Sequence, residues 1–229
     1  AGWGGHDDRR IDRRASPNNA KRRFASVGKT SAVLEDILDD EVNLAIWERR
    51  LDARLTAELG DFLALTPDFK IALAVARKSA WAEISAALGG AAPTAFADDV
   101  AELVGLFCSL FGQPHAGLRL KTLHSPMCPR FHVDRLPCRL VTSYLGVATE
   151  WLPHAAVDRS KLGQGSQGKP DHESGLYAND SDIRRMGCGD VALLKGEQWR
   201  GNGSAGLVHR SPAVPDNAIR LLLTLDFID

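Results

Sequence analysis

Apolar positions change their rhythm near residue 117. Before that point they recur at steps of three and four. Leu34 to Leu65 mixes apolar and charged residues, with Leu44, Trp47 and Leu51 at helical spacing, the pattern of a surface helix packing inward. A second helix is predicted from about Phe69 to Leu88, where Trp81, Ile84 and Leu88 share a face and Gly89-Gly90 supplies a stop. The third is the most regular. Phe96, Val100, Leu103, Val104, Phe107, Leu110 and Phe111 keep a helical period, Asp98 and Asp99 suit the positive end of the helix dipole, and Gly112 and Pro114 end the run.

From Gly117 onward short apolar runs alternate with Pro, Gly and Asp. Candidate strands are Leu118 to His124, Cys128 to Asp134, Arg139 to Leu145, Thr149 to Leu152, Val191 to Leu194, Gly206 to Arg210 and Ile219 to Phe227. Many short strands separated by turn signals predict a barrel or jelly roll rather than parallel α/β units. In the last strand Ile219, Leu221, Leu223 and Leu225 would bury one face, leaving Arg220, Leu222, Thr224 and Asp226 on the other. An inward Arg220 needs an anionic partner, and Asp226 or Glu150 could provide a structural one. The expected class is therefore α+β. One domain over 31–229 would carry a helical layer at 31–115 and a β-sandwich at 116–229.

Two segments stand outside these rhythms. Residues 1–30 hold eight Lys or Arg against Asp7, Asp8 and Asp12, and their low hydrophobicity predicts a flexible basic tail. Residues 160–182 hold Gly163, Gly165, Gly168 and Gly175 with few large apolar side chains. They read either as a disordered insertion or as a lid that orders over a site.

Composition narrows the function classes. The formal net charge of −1 gives no general electrostatic case for nucleic acid or membrane surfaces, and no apolar run approaches the roughly 20 residues needed to span a bilayer. A cytoplasmic location is expected. The four cysteines, Cys108, Cys128, Cys138 and Cys188, lack zinc-ribbon spacing and are expected as thiols.

The chemistry is carried by three side chains. His132 and Asp134 lie two residues apart, so on an extended strand both point to one face, and His209 follows in a later strand. Two imidazoles and one carboxylate on one face of an octahedron leave positions free for substrate or oxygen, as in non-haem Fe(II) oxygenases. Separately, each has a bland reading: a hydrogen-bonded surface histidine, a turn-forming aspartate, a strand-end histidine. A thiolate zinc site using Cys128 and Cys138 lacks a matching set of four ligands, and His124, His154 and His172 have no partners in the pattern.

From about residue 117 to the end the chain resembles the Fe(II)/2-oxoglutarate-dependent dioxygenases, whose double-stranded β-helix carries His-x-Asp after its second strand and a distal His on its seventh. That resemblance makes His132, Asp134 and His209 the metal ligands and catalytic centre. Arg220, eleven residues beyond His209, would bind the far carboxylate of 2-oxoglutarate, a task suited to a planar guanidinium. Tyr144 would lie near the cosubstrate. Gly146 to Trp151 and Gly187 to Val191 also resemble strand and turn segments of that superfamily. Leu222 replaces the Ser that many members carry two residues after the arginine. Asn43 to Trp47 and Cys128 to Asp134 further resemble an uncharacterised bacterial family of unknown function.

The function so implied is hydroxylation of a small molecule or a protein side chain, with Fe(II) as cofactor and 2-oxoglutarate as cosubstrate. Trp151, Trp199 and the 160–182 insertion are candidates to line or cover the mouth. The alternative is a non-catalytic cupin-like protein holding zinc, nickel or iron through the same trio, with a link to zinc homeostasis.

Overall fold

The computed structural model describes residues 22–228. Its elements, in chain order, are β1 (Phe24–Gly28), β2 (Val42–Trp47), α1 (Ala53–Leu65), β3 (Lys70–Ala76), α2 (Ala80–Leu88), α3 (Thr94–Phe111), β4 (His115–Leu123), β5 (Cys138–Leu145), β6 (Glu150–Leu152), β7 (Arg184–Arg185), β8 (Val191–Lys195), β9 (Val208–Arg210) and β10 (Arg220–Asp226). They form a seven-stranded sheet in the order β1-β2-β8-β5-β10-β4-β3 and a three-stranded sheet in the order β7-β6-β9. Apart from the parallel β1–β2 pair, the ladders are antiparallel.

The alternation expected for β10 decides the layering. Leu221, Leu223 and Leu225 join the core that packs the large sheet against the helices, together with Phe96, Val100, Leu103 and Phe107 of α3. Leu222 belongs instead to a second core with Val141, Ala192 and Leu207, between the two sheets. One strand thus serves two cores because its side chains alternate.

Residues 31–115 depart from the expected helical layer. The run Leu34 to Leu65 contains β2 as well as α1, and the run Phe69 to Leu88 contains β3 as well as α2. In β2, Val42 and Ala45 face the helices while Leu44 and Ile46 face the other sheet. A short apolar run buried on both faces cannot be told from a helix by period alone. In β3, Ile71, Leu73 and Val75 alternate with alanines, whose helical propensity masks a period of two. The third helix forms as expected: Gly112, at φ 63°, closes α3 in the left-handed conformation.

The expected strand Cys128 to Asp134 also changes. It makes one bridge, His132 with His209, rather than a ladder. Pro126 and Pro129 remove the backbone donors a longer ladder would need. At the chain start, the expected tail over 1–30 lies outside the described residues up to 21, and residues 24–28 form β1 at the edge of the large sheet. Among the described residues, no helix is long and apolar enough to cross a membrane.

The 160–182 segment is built of short helical turns rather than disordered chain. Leu176 packs into a third core with Phe131, Leu152 and Val208, and Tyr177 meets the Phe131 ring edge-on. Asp171 fastens it further. Its carboxylate accepts from Phe131 N at 2.8 Å and lies 3.4 Å from Arg130 and 3.7 Å from Arg210. The insertion therefore grips the residues beside both candidate histidines.

Candidate metal centre

His132 and His209 are brought together by their backbones. Each donates its N–H to the other's carbonyl at 3.0 Å, and their ring centroids lie 4.6 Å apart. Asp134 completes the group, its Oδ1 3.5 Å from His132 Nε2 and its Oδ2 3.6 Å from His209 Nε2. One ligand atom from each residue lies within 4.8 Å of the others. Gly196 permits the approach: a Cβ there would stand 2.6 Å from the Asp134 carbonyl oxygen.

The tautomers follow from the neighbours. His132 Nδ1 meets Arg130 O at 2.9 Å and His209 Nδ1 meets Leu207 O at 3.2 Å. A carbonyl oxygen only accepts, so each Nδ1 carries a proton, and in the neutral ring each Nε2 keeps a lone pair available to a cation shared with Asp134. This is the orientation in which a histidine serves a metal while its other nitrogen fixes the ring.

Charge reinforces the arrangement. Burial opposes ionisation of Asp134, but the hydrogen bond that His132 Nε2 donates when its ring is protonated and the proximity of His209 and Arg139 outweigh it and hold the carboxyl at about 2. Burial likewise opposes protonation of His132, yet Asp134 and the Arg130 carbonyl outweigh it and raise the imidazole above its ordinary value. For His209 burial wins and pulls the ring down to about 4. An anionic carboxylate beside a neutral imidazole is a donor set for a divalent cation.

The same residues line a cavity of about 80 Å³ that also contains Thr149, Ser211 and Arg220. Arg220 is 1% exposed. Its Nε donates to Ser143 Oγ at 3.1 Å, Nη1 to Ser211 Oγ at 2.9 Å and Nη2 to Thr149 Oγ1 at 2.9 Å. Burial pulls its pKa down to about 10. The structural partners considered from sequence are taken: Asp226 binds Arg139 and Arg119, and Glu150 binds Arg185 and Arg210. Among the described residues no carboxylate pairs with Arg220.

Tyr144 is not at this cavity. Adjacent strand residues face opposite ways, so Ser143 meets Arg220 while Tyr144 is turned to the helices, where its hydroxyl donates to Asp99 Oδ2 at 2.5 Å and its ring packs edge-on to Phe96. The hydroxyls that do reach the guanidinium, Ser143, Thr149 and Ser211, were not singled out in the sequence. Their strand parity was the available signal for the first two.

Other sequence candidates disperse. Trp151 pairs with His209 across β6 and β9 and packs against the core between the sheets, whereas Trp199 packs on Phe111 at the helical side. Cys128 lines the cavity, but Cys138 is buried among the helix-side residues. His124 lies outside, against the Pro67 carbonyl.

A family model described as "Protein of unknown function (DUF1826)" matches residues 28–226. The chain belongs to the DUF1826 family. No curated protein matches this DUF1826 member. Its fold is similar to that of a putative oxygenase from Shewanella oneidensis, at 9% identity and a TM-score of 0.50 over 90% of this chain and 89% of that one. Looser likenesses include the dioxygenase for auxin oxidation in rice, at 13% identity, TM-score 0.48, over 90% and 83%. HygX from Streptomyces hygroscopicus with nickel and 2-oxoglutarate bound is another, at 13% identity, TM-score 0.42, over 86% of each chain.

Proposed function

We propose that this DUF1826 chain is a non-haem Fe(II)/2-oxoglutarate-dependent oxygenase. His132, Asp134 and His209 hold the metal, and Arg220 binds the far carboxylate of the cosubstrate. The observation that carries the reading is Arg220: a buried cation, in the cavity of the trio, whose side-chain partners are neutral hydroxyls. A guanidinium withdrawn from water without a counter-ion is costly to keep, and a dicarboxylate entering the cavity supplies the missing charge through paired hydrogen bonds. A metal store built from the same trio has no use for that cation.

Fe(II) and 2-oxoglutarate, when bound, supply dioxygen activation and C–H hydroxylation. The chain's own residues do the placing. The two Nε2 atoms and the Asp134 carboxylate lie close enough together to be shared by one divalent ion, and three protein ligands would fill half of an octahedral shell. Ser143, Thr149 and Ser211 fix the plane of the guanidinium, so the anion it grips is aimed along the cavity. Val141 and Leu222 form part of an apolar wall that limits water. The fold likeness to a putative oxygenase supports the same reading.

Anaerobic titration with Fe(II) and 2-oxoglutarate tests it. A weak visible charge-transfer band is expected in the wild type and not in Arg220→Ala, which should still retain metal. Absence of the band in folded, metal-loaded wild type overturns the proposal.

A further inference from the structure

Asp134 does not present both carboxylate oxygens freely. Arg139 Nη1 donates to Oδ2 at 2.8 Å, while Oδ1 faces His132. Arg139 is itself fixed from behind: its Nε and Nη2 form a fork on Asp226 at 2.7 and 3.0 Å, and Arg119 of β4 adds a contact to Asp226 Oδ2 at 2.9 Å. Arg139 and Asp134 are both well buried, with side chains 18% and 13% exposed. Two carboxylates and two guanidiniums thus balance before any metal enters.

We propose that Arg139 is a positioning residue that restricts Asp134 to one-oxygen coordination and offsets its charge, with Asp226 fixing Arg139 in that role. The inference rests on the metal-site reading above. A carboxylate held by one oxygen uses one coordination position instead of two, which keeps three of six open for a chelating cosubstrate and oxygen. Because Asp134 is already neutralised by Arg139, a divalent ion leaves the loaded site strongly cationic. That excess favours a dianionic chelator as the next ligand, so binding of the metal alone is kept weak and binding of metal with dicarboxylate is strengthened. The same strand supplies both halves of this device, since Arg220 and Asp226 share the inward face of β10 with Leu222 and Thr224.

The test uses Mn(II), which is stable in air, and two substitutions with opposite electrostatic signs. Arg139→Gln keeps an amide donor but removes the positive charge, and is expected to tighten Mn(II) binding. Asp226→Asn leaves Arg139 uncompensated, and is expected to weaken it. In the wild type, 2-oxoglutarate should tighten Mn(II) by about 5- to 150-fold, the usual range of coupling between sites, and Arg139→Gln should reduce that factor. A purely structural clamp would make both substitutions weaken binding. That result, or no change in either variant, overturns the inference. If Arg139→Gln does not melt cooperatively, Arg139→Lys replaces it, with affinity and coupling expected close to wild type because the cation remains; a tenfold change in either would equally overturn the idea. Failure of wild type to bind Mn(II) would instead count against the metal site itself.

Discussion

His132 and His209 are partners in a two-way backbone bridge, N–H to carbonyl at 3.0 Å in both directions, although they lie 77 positions apart in the chain. Their imidazoles meet because that single pairing fixes both backbones. Replacement of His209 by Ala leaves the backbone bridge available and removes one donor atom. The expected outcome is a folded protein that no longer retains one equivalent of divalent metal after desalting, checked by elemental analysis beside a thermal melt.

The low pKa of His209 sets a pH dependence in the metal-free protein. Burial favours the neutral ring, so the folded chain protonates it near pH 4 while the unfolded chain does so near its ordinary 6.5. The stability that neutral His209 contributes is full above about 6.5 and is lost as the pH falls toward 4. At about 1.4 kcal/mol per unit, this is at most about 3.5 kcal/mol. Denaturant unfolding at pH 7.5, 6, 5 and 4 should show the decline, and His209→Gln should flatten it; equal slopes for the two proteins would contradict the assignment.

Arg220 trades stability for function. Arg220→Met removes a buried cation that no carboxylate among the described residues balances, and the melting temperature should rise or hold while 2-oxoglutarate binding is lost. Conversely, a saturating anion should stabilise the metal-loaded wild type, by about 2.7 kcal/mol at a hundredfold excess over Kd, and leave the variant unmoved. Thermal shift with and without 2-oxoglutarate reads both effects.

Asp171 ties the insertion to the ligand-bearing segment through the Phe131 N–H. Asp171→Ala leaves that buried donor unsatisfied, at a cost of about 1–3 kcal/mol. Limited proteolysis should then cut within 160–182 faster than in the wild type, and metal affinity should fall because His132 is the next residue. Unchanged proteolysis would show that the packing of Leu176 and Tyr177 alone holds the segment.

Tyr144→Phe separates structure from chemistry. Loss of the hydroxyl bonded to Asp99 should cost about 1–2 kcal/mol in denaturant unfolding. Affinity for 2-oxoglutarate should stay within twofold of wild type, since the ring faces the helices; a larger loss would return Tyr144 to the cosubstrate site.

The sequence by itself determined whatever depends on local period or residue type. α3 was legible because its apolar stripe runs for eighteen residues and ends on a glycine that adopts positive φ. The two faces of β10 were legible because alternation is a local property, and the trio was legible because few residue types bind metals. β2 and β3 were not: one is buried on both faces and the other is rich in alanine, and in each case the neighbouring strands decide the conformation. Only the tertiary structure decided which polar groups meet. Strand pairing and the alternation of facing strands give Arg220 three hydroxyls, turn Tyr144 away, and set Arg139 between Asp134 and Asp226. Those contacts join residues far apart along the chain, and no local pattern records which distant strand becomes a neighbour.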